Sequence, residues 1–198
     1  MPTPSPTLTG HENDEEQAPR PLLAAAVLAA ASLPSHALDL RPDAVSVQAG
    51  PGTHGSRIAG VGVIWDWDFE RMRRKAELTA HTEVMVNHWD ARESGGSRQS
   101  ITQLVVLPSL RMRLERGASP WFIELGIGAS WMDRLFVTPE KSFSTRWNFF
   151  DMMGVGHSFG GSNGGHEIGV RWVHVSNAGI RHPNPGQDFI QLRYVKRL

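Results

Sequence analysis

The sequence predicts an all-β fold, an eight-stranded antiparallel transmembrane β-barrel of the outer-membrane type. Three observations carry that expectation. Apolar residues recur at every second position, in blocks separated by turn-forming clusters; this is the period of strands with one apolar and one polar face. After an N-terminal leader, no segment supplies the run of about 18 to 20 apolar residues that a transmembrane helix requires. An exported chain that enters a membrane without such helices must close its strands on themselves, because hydrocarbon offers no partner to an open sheet edge. Finally, 7 Trp against 1 Tyr, with 20 Gly in 198 residues, suits many short strands better than a helical domain.

Residues 1–37 read as a disordered extension followed by a signal peptide. Met1 to Ala18 is polar, Pro-rich and acidic. Arg20 then precedes an apolar run of small residues from Leu22 to Leu33, and Ser35-His36-Ala37 supplies small residues for cleavage after Ala37. The competing reading is an Ala-rich helix of the mature fold. An over-long gene start would explain the acidic extension. Residues 38–198 form one β-barrel domain of roughly 160 residues, about what eight tilted strands and their turns use.

Within that domain a short first strand is expected around Ala44–Gln48. In the second, Ala59, Val61, Val63, Trp65 and Trp67 oppose Gly60, Gly62 and Asp66. In the third, Leu78, Ala80, Val84 and Val86 oppose His81, Glu83 and Asn87. The fourth sets Leu104, Val106, Leu110, Met112 and Leu114 against Gln103, Ser109, Arg111 and Arg113. The fifth sets Trp121, Ile123, Leu125, Ile127, Ala129 and Trp131 against Glu124, Gly126, Gly128 and Ser130. A sixth is expected around Arg146–Gly156. In the seventh, Ile168, Val170 and Trp172 oppose Glu167, Gly169 and Arg171; in the eighth, Ile190, Leu192 and Tyr194 oppose Gln191, Arg193 and Arg197. Pro51-Gly52, Ser94 to Ser97, Gly117 to Pro120, Thr138-Pro139 and Gly160 to Gly165 punctuate the blocks. The basic cluster Arg71 to Lys75 reads as a solvated turn on the periplasmic side.

Alternation alone does not separate a membrane barrel from a lipocalin-like soluble one, since the two differ only in which face points inward. The polar positions hold Glu83, Arg111, Arg113, Glu124, Glu167, Arg171 and Arg193, which can pair inside a narrow lumen. The apolar positions end in Trp65, Trp67, Trp121 and Trp131, as interfacial girdles do. Both features, with the leader, select the membrane barrel.

A formal net charge of +0 gives no support to a polyanion-binding role, nucleic acid included. With 0 Cys, disulfide frameworks, thiolate metal sites and a cysteine nucleophile are excluded. The 9 His include no H-E-x-x-H spacing, because Val170 stands where His166-Glu167 would need its second histidine. Gly156-His157-Ser158-Phe159-Gly160 matches the G-x-S-x-G nucleophile elbow, but that motif needs a strand–turn–helix context, and the sequence after it is no helix.

The richest segment is the last hairpin. His174 and Ser176 are two apart on a strand, so they share a face with backbones about 7 Å apart. They continue the apolar parity of Ile168, Val170 and Trp172, and Asp188 shares that of Ile190, Leu192 and Tyr194. The turn-rich connection 177–187 pairs the two strands and brings Asp188 alongside His174. A base, a hydroxyl and an acid on one face is the Ser–His–acid arrangement, recognised by geometry rather than chain order. The competing reading is a hairpin end at the water interface, where polar residues are ordinary.

These residues also resemble those of the lipid A 3-O-deacylases of the PagL type. The pattern here is His174-Val-Ser176-Asn177-Ala178-Gly179-Ile180, then Pro183-Asn184-Pro185-Gly186, then Asp188. Weaker similarity runs through Val61 to Trp67 and Pro120 to Gly128. The resemblance implies Ser176 as nucleophile, His174 as base and Asp188 as its orienting acid, where the family usually has Glu. It implies an oxyanion site from Asn184 and the amides near Asn177, Ala178 and Gly179. It further implies an outer-membrane esterase that removes the 3-O-linked acyl chain of lipid A in the outer leaflet. Such hydrolysis needs no metal or organic cofactor. The oligomeric state, a homodimer included, is left open. Two rivals remain at this point: a non-enzymatic structural barrel, and a soluble carboxylesterase using Ser158.

Overall fold

The computed structural model describes residues 40–73, 75–93, 96–160 and 165–198; the leader read from residues 1–37 lies outside them. The strands are β1 (Ala44–Pro51), β2 (Arg57–Arg73), β3 (Ala76–Arg92), β4 (Arg98–Leu114), β5 (Trp121–Met132), β6 (Trp147–Phe159), β7 (His166–Ser176) and β8 (Gln187–Arg197). Each pairs antiparallel with its neighbours in sequence, and β1 closes on β8, with Ala44 opposite Arg197 and Ala49 opposite Leu192. This is the closed eight-stranded barrel that the alternation requires.

Three boundaries differ from the sequence reading. β1 continues past Gln48 to Pro51, because Ala49, Gly50 and Pro51 still pair with Ala59, Ile58 and Arg57. β6 is displaced to Trp147–Phe159. Its middle carries apolar side chains on both faces, Phe149 beside Phe150 and Met152 beside Met153, so the period-2 signal fades there. Arg71 and Arg73 belong to the end of β2 rather than to a turn. A register shift between Asp66 and Glu70 lets that strand run on beyond its alternating part.

The two faces of the wall follow the sequence parity. Val61, Val106, Leu125, Ile127, Val170 and Ile190 are exposed on the outside. Glu83, Arg111, Glu124, Glu167, Arg171 and Arg193 are buried inside. A continuous apolar exterior around a charged interior is the inversion expected of a wall bathed in lipid. Where the lumen is tightest the sequence places glycine. A Cβ on Gly62 would lie 2.6 Å from Ser46 Oγ, and one on Gly154 2.9 Å from Arg171 Cγ. We therefore expect Leu125→Arg, midway between Trp121 and Trp131 on β5, to destabilise the barrel by roughly 2–4 kcal/mol. Urea unfolding in liposomes measures this, and Glu115→Arg, outside the strands, is the control with little effect.

The lumen has two layers. In the half nearer the ends of β1 and β8 that carry Ala44 and Arg197, ion pairs fill it. Arg111 donates to Glu124 at 2.6 Å and to Glu167 at 2.7 Å, and Arg171 bridges Glu83 at 2.7 Å and Glu124 at 3.0 Å. The other half is apolar, built from Trp89, Ile101, Val105, Leu107, Phe150 and Phe189, among others. Within it Trp89 Nε1 donates to Gln103 at 3.0 Å. The sequence reading assigned charged residues to the lumen correctly and did not anticipate this second layer. It sits at the end of the barrel where β7 finishes and β8 starts, directly behind the candidate site.

Candidate active site

The pairing register sets three polar side chains in one row on the outer wall: Asp151 of β6, His174 of β7 and Asp188 of β8. Each carries the outward parity of its strand. His174 Nδ1 and Asp188 Oδ1 are 2.8 Å apart, with the two side chains 30% and 36% exposed. That bond engages Nδ1 and leaves the other nitrogen, Nε2, to act as acceptor or donor. The ring also stacks on Trp172, centroids 5.9 Å apart and planes at 20°. Gly186 closes the near side: a Cβ there would stand 2.5 Å from His174 Cε1, and its φ of +64° is itself unfavourable for any other residue.

Ser176, the last residue of β7, lies opposite Phe149 and is 8% exposed. Among the described residues no hydrogen bond joins Ser176 to His174. Ser176 Oγ instead accepts a long bond, 3.4 Å, from Ala178 N–H. The imidazole–carboxylate bond is thus closed, and the Ser176 hydroxyl shares its face without bonding the ring.

The loop after Ser176 turns sharply through two left-handed residues, Ala178 (φ 53°) and Gly179 (φ 77°). Asn177, 3% exposed, fastens it. Its Nδ2 donates to Arg181 O at 2.7 Å and lies 3.1 Å from Ser144 Oγ and 3.2 Å from Thr145 Oγ1. Its Oδ1 accepts from Gly179 N–H at 3.0 Å, and its own N–H donates to Asn184 Oδ1 at 2.9 Å. The four residues expected to serve an oxyanion thus divide by what they already bond. Asn177 holds the loop and the Gly179 amide is engaged. The Ala178 amide faces Ser176, and Asn184, its oxygen occupied, is left with its NH₂ to donate.

The rival serine sits elsewhere. Ser158 lies on the inward parity of β6 and accepts a bond from Arg113 at 2.7 Å, in a strand whose next described element is another strand, β7. Its G-x-S-x-G string is not a nucleophile elbow.

Comparison with known proteins fixes the family. The model of the family described as lipid A 3-O-deacylase (PagL) matches residues 59–197, most of the barrel and all of the last hairpin. The chain belongs to the lipid A 3-O-deacylase family. It is 29% identical over 174 residues to the lipid A deacylase PagL of Pseudomonas aeruginosa, covering 87% of this chain and 96% of that relative. It is 30% identical over 154 residues to the lipid A deacylase PagL of Bordetella bronchiseptica, covering 76% of this chain and 81% of that relative. The crystal structure of the outer membrane enzyme PagL superposes with a TM-score of 0.68 at 26% identity, over 78% of this chain and 99% of that one.

As a lipid A 3-O-deacylase, the chain has features beside its hairpin motif that sequence reading missed. Asp151 is one, half-buried next to His174 on the side away from Asp188. Its signal was a lone carboxylate on the outward parity of Trp147, Phe149, Met153 and Val155, a costly place for a charge in lipid. Reading it required the parity of β6, which apolar residues on both faces conceal. Lys141, whose Nζ is 2.8 Å from Gly186 O, is the other. Nothing local marks it, because the contact joins loops 45 residues apart.

Proposed function

We propose that this chain is an outer-membrane carboxylic ester hydrolase that removes the 3-O-linked acyl chain of lipid A through Ser176, His174 and Asp188. The observation that carries the reading is the His174–Asp188 bond of 2.8 Å on the lipid-facing wall, on the same face as Ser176. A paired imidazole and carboxylate gain nothing from apolar surroundings unless a reaction uses them. An ester already lying in the membrane is the substrate that a lateral site can reach.

In this mechanism Ser176 Oγ adds to the ester carbonyl carbon while His174 Nε2 takes its proton. Asp188 holds the ring through Nδ1 and stabilises the imidazolium. The oxyanion of the tetrahedral intermediate meets the Ala178 N–H and the Asn184 NH₂, donors held in place before charge develops. Collapse breaks the bond to the sugar oxygen, which leaves with the proton from His174. Water, activated by the same histidine, then cleaves the acyl–serine ester to release the fatty acid and regenerate Ser176.

Mass spectrometry of lipid A from outer membranes carrying wild type, Ser176→Ala and Ser158→Ala tests the assignment. Wild type and Ser158→Ala should yield lipid A lacking one acyl chain, and Ser176→Ala should leave it intact while still inserting as a folded barrel. Trimming that survives in Ser176→Ala would remove the nucleophile from this reading.

A further inference from the structure

The β5–β6 connection is a small hairpin anchored in the barrel mouth. Val137 and Ser142 form a bridge, and Phe143 N–H donates to Phe136 O at 2.8 Å. The turn is tied by Thr138, whose Oγ1 accepts from Lys141 N–H at 3.0 Å and whose N–H donates to Lys141 O at 2.7 Å. Its two feet, Phe136 and Phe143, are 0% and 2% exposed. Their rings meet edge-on at 5.2 Å; Phe136 meets Trp89 at 5.6 Å, and Trp89 meets Phe189 at 4.7 Å. Phe189 is the neighbour of Asp188, so the hairpin and the start of β8 share one apolar anchor.

From that anchored turn Lys141 extends its ammonium to Gly186 O at 2.8 Å, with Thr53 Oγ1 at 3.4 Å. Gly186 is the residue whose Cα packs against the imidazole: a Cβ there would be 2.5 Å from Cε1 and 3.1 Å from Nε2 of His174. The side chain of the next residue is tied to the β1–β2 connection, Gln187 Nε2 donating to Ser56 Oγ at 2.7 Å and to Thr53 O at 3.2 Å. Three connections, β1–β2, β5–β6 and β7–β8, therefore meet at Gly186 and Gln187. Gly186 lies against the Cε1–Nε2 edge of the ring, the edge that the proposed mechanism turns toward Ser176.

We propose that Lys141 is a positioning residue for ester hydrolysis: by holding the Gly186 carbonyl it sets the rotation of the His174 ring, and so the direction of Nε2 toward Ser176. The inference rests on the Ser176–His174–Asp188 reading and goes beyond it, placing a residue from another loop in the apparatus. The Asp188 bond holds Nδ1 and Trp172 stacks at a centroid distance of 5.9 Å, but neither contact stops the far edge, Cε1 and Nε2, from tilting. The Gly186 backbone removes this freedom, and a left-handed glycine holds its place only as firmly as its partners hold it. A charge-assisted bond from an ammonium on an anchored hairpin supplies that hold.

The test uses the full-length barrel refolded in detergent, as wild type, Lys141→Met, Lys141→Arg and Ser176→Ala. Two rates are read for each: steady-state deacylation of lipid A in mixed micelles, and labelling of Ser176 by an alkyl fluorophosphonate. Folded fraction is followed by heat-modifiable gel mobility. Lys141→Met should lower kcat and the labelling rate together, by roughly ten- to a hundred-fold, as small misplacements of a catalytic group do, with KM and folded fraction unchanged. Lys141→Arg, which can still reach the carbonyl with a charged donor, should recover most of the loss. The proposal is overturned if Lys141→Met keeps the wild-type kcat and labelling beside an inactive Ser176→Ala. It is equally overturned if the loss lies only in KM or folded fraction, or if Arg is no better than Met. Wild type that fails to label at Ser176, together with an active Ser176→Ala, would instead bring down the triad itself and this inference with it.

Discussion

Replacing His174 with Ala should lower kcat for lipid A deacylation by roughly 10⁴-fold or more, with the barrel folded and inserted as in wild type. In the proposed mechanism the imidazole takes the serine proton and returns it to the leaving sugar oxygen. Its removal therefore disables both halves of the reaction. Stability should change little, because His174 is on the outer wall and part-exposed, and its loss leaves the lumen untouched. Asp188→Ala should cost less, on the order of 10²- to 10⁴-fold. It removes the bond to Nδ1 but leaves Asp151 on the other flank of the ring in the same cross-strand row. That residual carboxylate still favours the imidazolium. Single-turnover assays of released fatty acid resolve the two effects. His174→Ala retaining activity within about tenfold of wild type would contradict general-base catalysis at this residue.

The second large effect lies in the lumen and touches stability rather than chemistry. Glu124 is 2% exposed and receives Arg111 at 2.6 Å and Arg171 at 3.0 Å. Glu124→Ala leaves three buried guanidinium groups, those of Arg111, Arg171 and Arg193, with part of their charge uncompensated. Arg111 keeps Glu167 and Arg171 keeps Glu83, so the network is weakened rather than dissolved. Breaking one partner out of a buried ion pair costs about 3–5 kcal/mol. The expected result is a lower urea midpoint in detergent by that free energy, with deacylation per folded molecule unaltered. The separation of the two readouts follows from the layering: the apolar layer of Trp89, Leu107, Phe150 and Phe189 lies behind the hairpin site, and the ion pairs lie in the other half of the lumen. Unchanged stability would mean that the guanidinium groups find water in place of the carboxylate.

How far each part was legible depended on the range of the interaction that specified it. β5 was readable because Ile123 to Trp131 alternate apolar residues with Glu, Gly or Ser without a break. β6 was obscured because its inward residues, Phe150 and Met152, serve an apolar layer and its outward residues serve lipid. Both environments ask for the same side chains, so the periodicity that marks a strand vanished where the strand was most buried. The hairpin residues His174, Ser176 and Asp188 were legible together because one register and one parity connect them. Asp151, one strand away, depended on the parity of β6 and was lost with it.

The closed barrel, its inside and outside, and the face on which the last hairpin carries its polar residues can all be read from the order of residues. Those properties follow from the two-residue repeat of a strand and from the refusal of hydrocarbon to solvate a peptide edge. Only the tertiary structure decided what surrounds the imidazole: the carboxylate at its far flank, the glycine backbone against its edge, and the ammonium of Lys141 behind that glycine. These contacts join residues far apart in the chain, and no local pattern encodes a meeting that three separate connections must arrange.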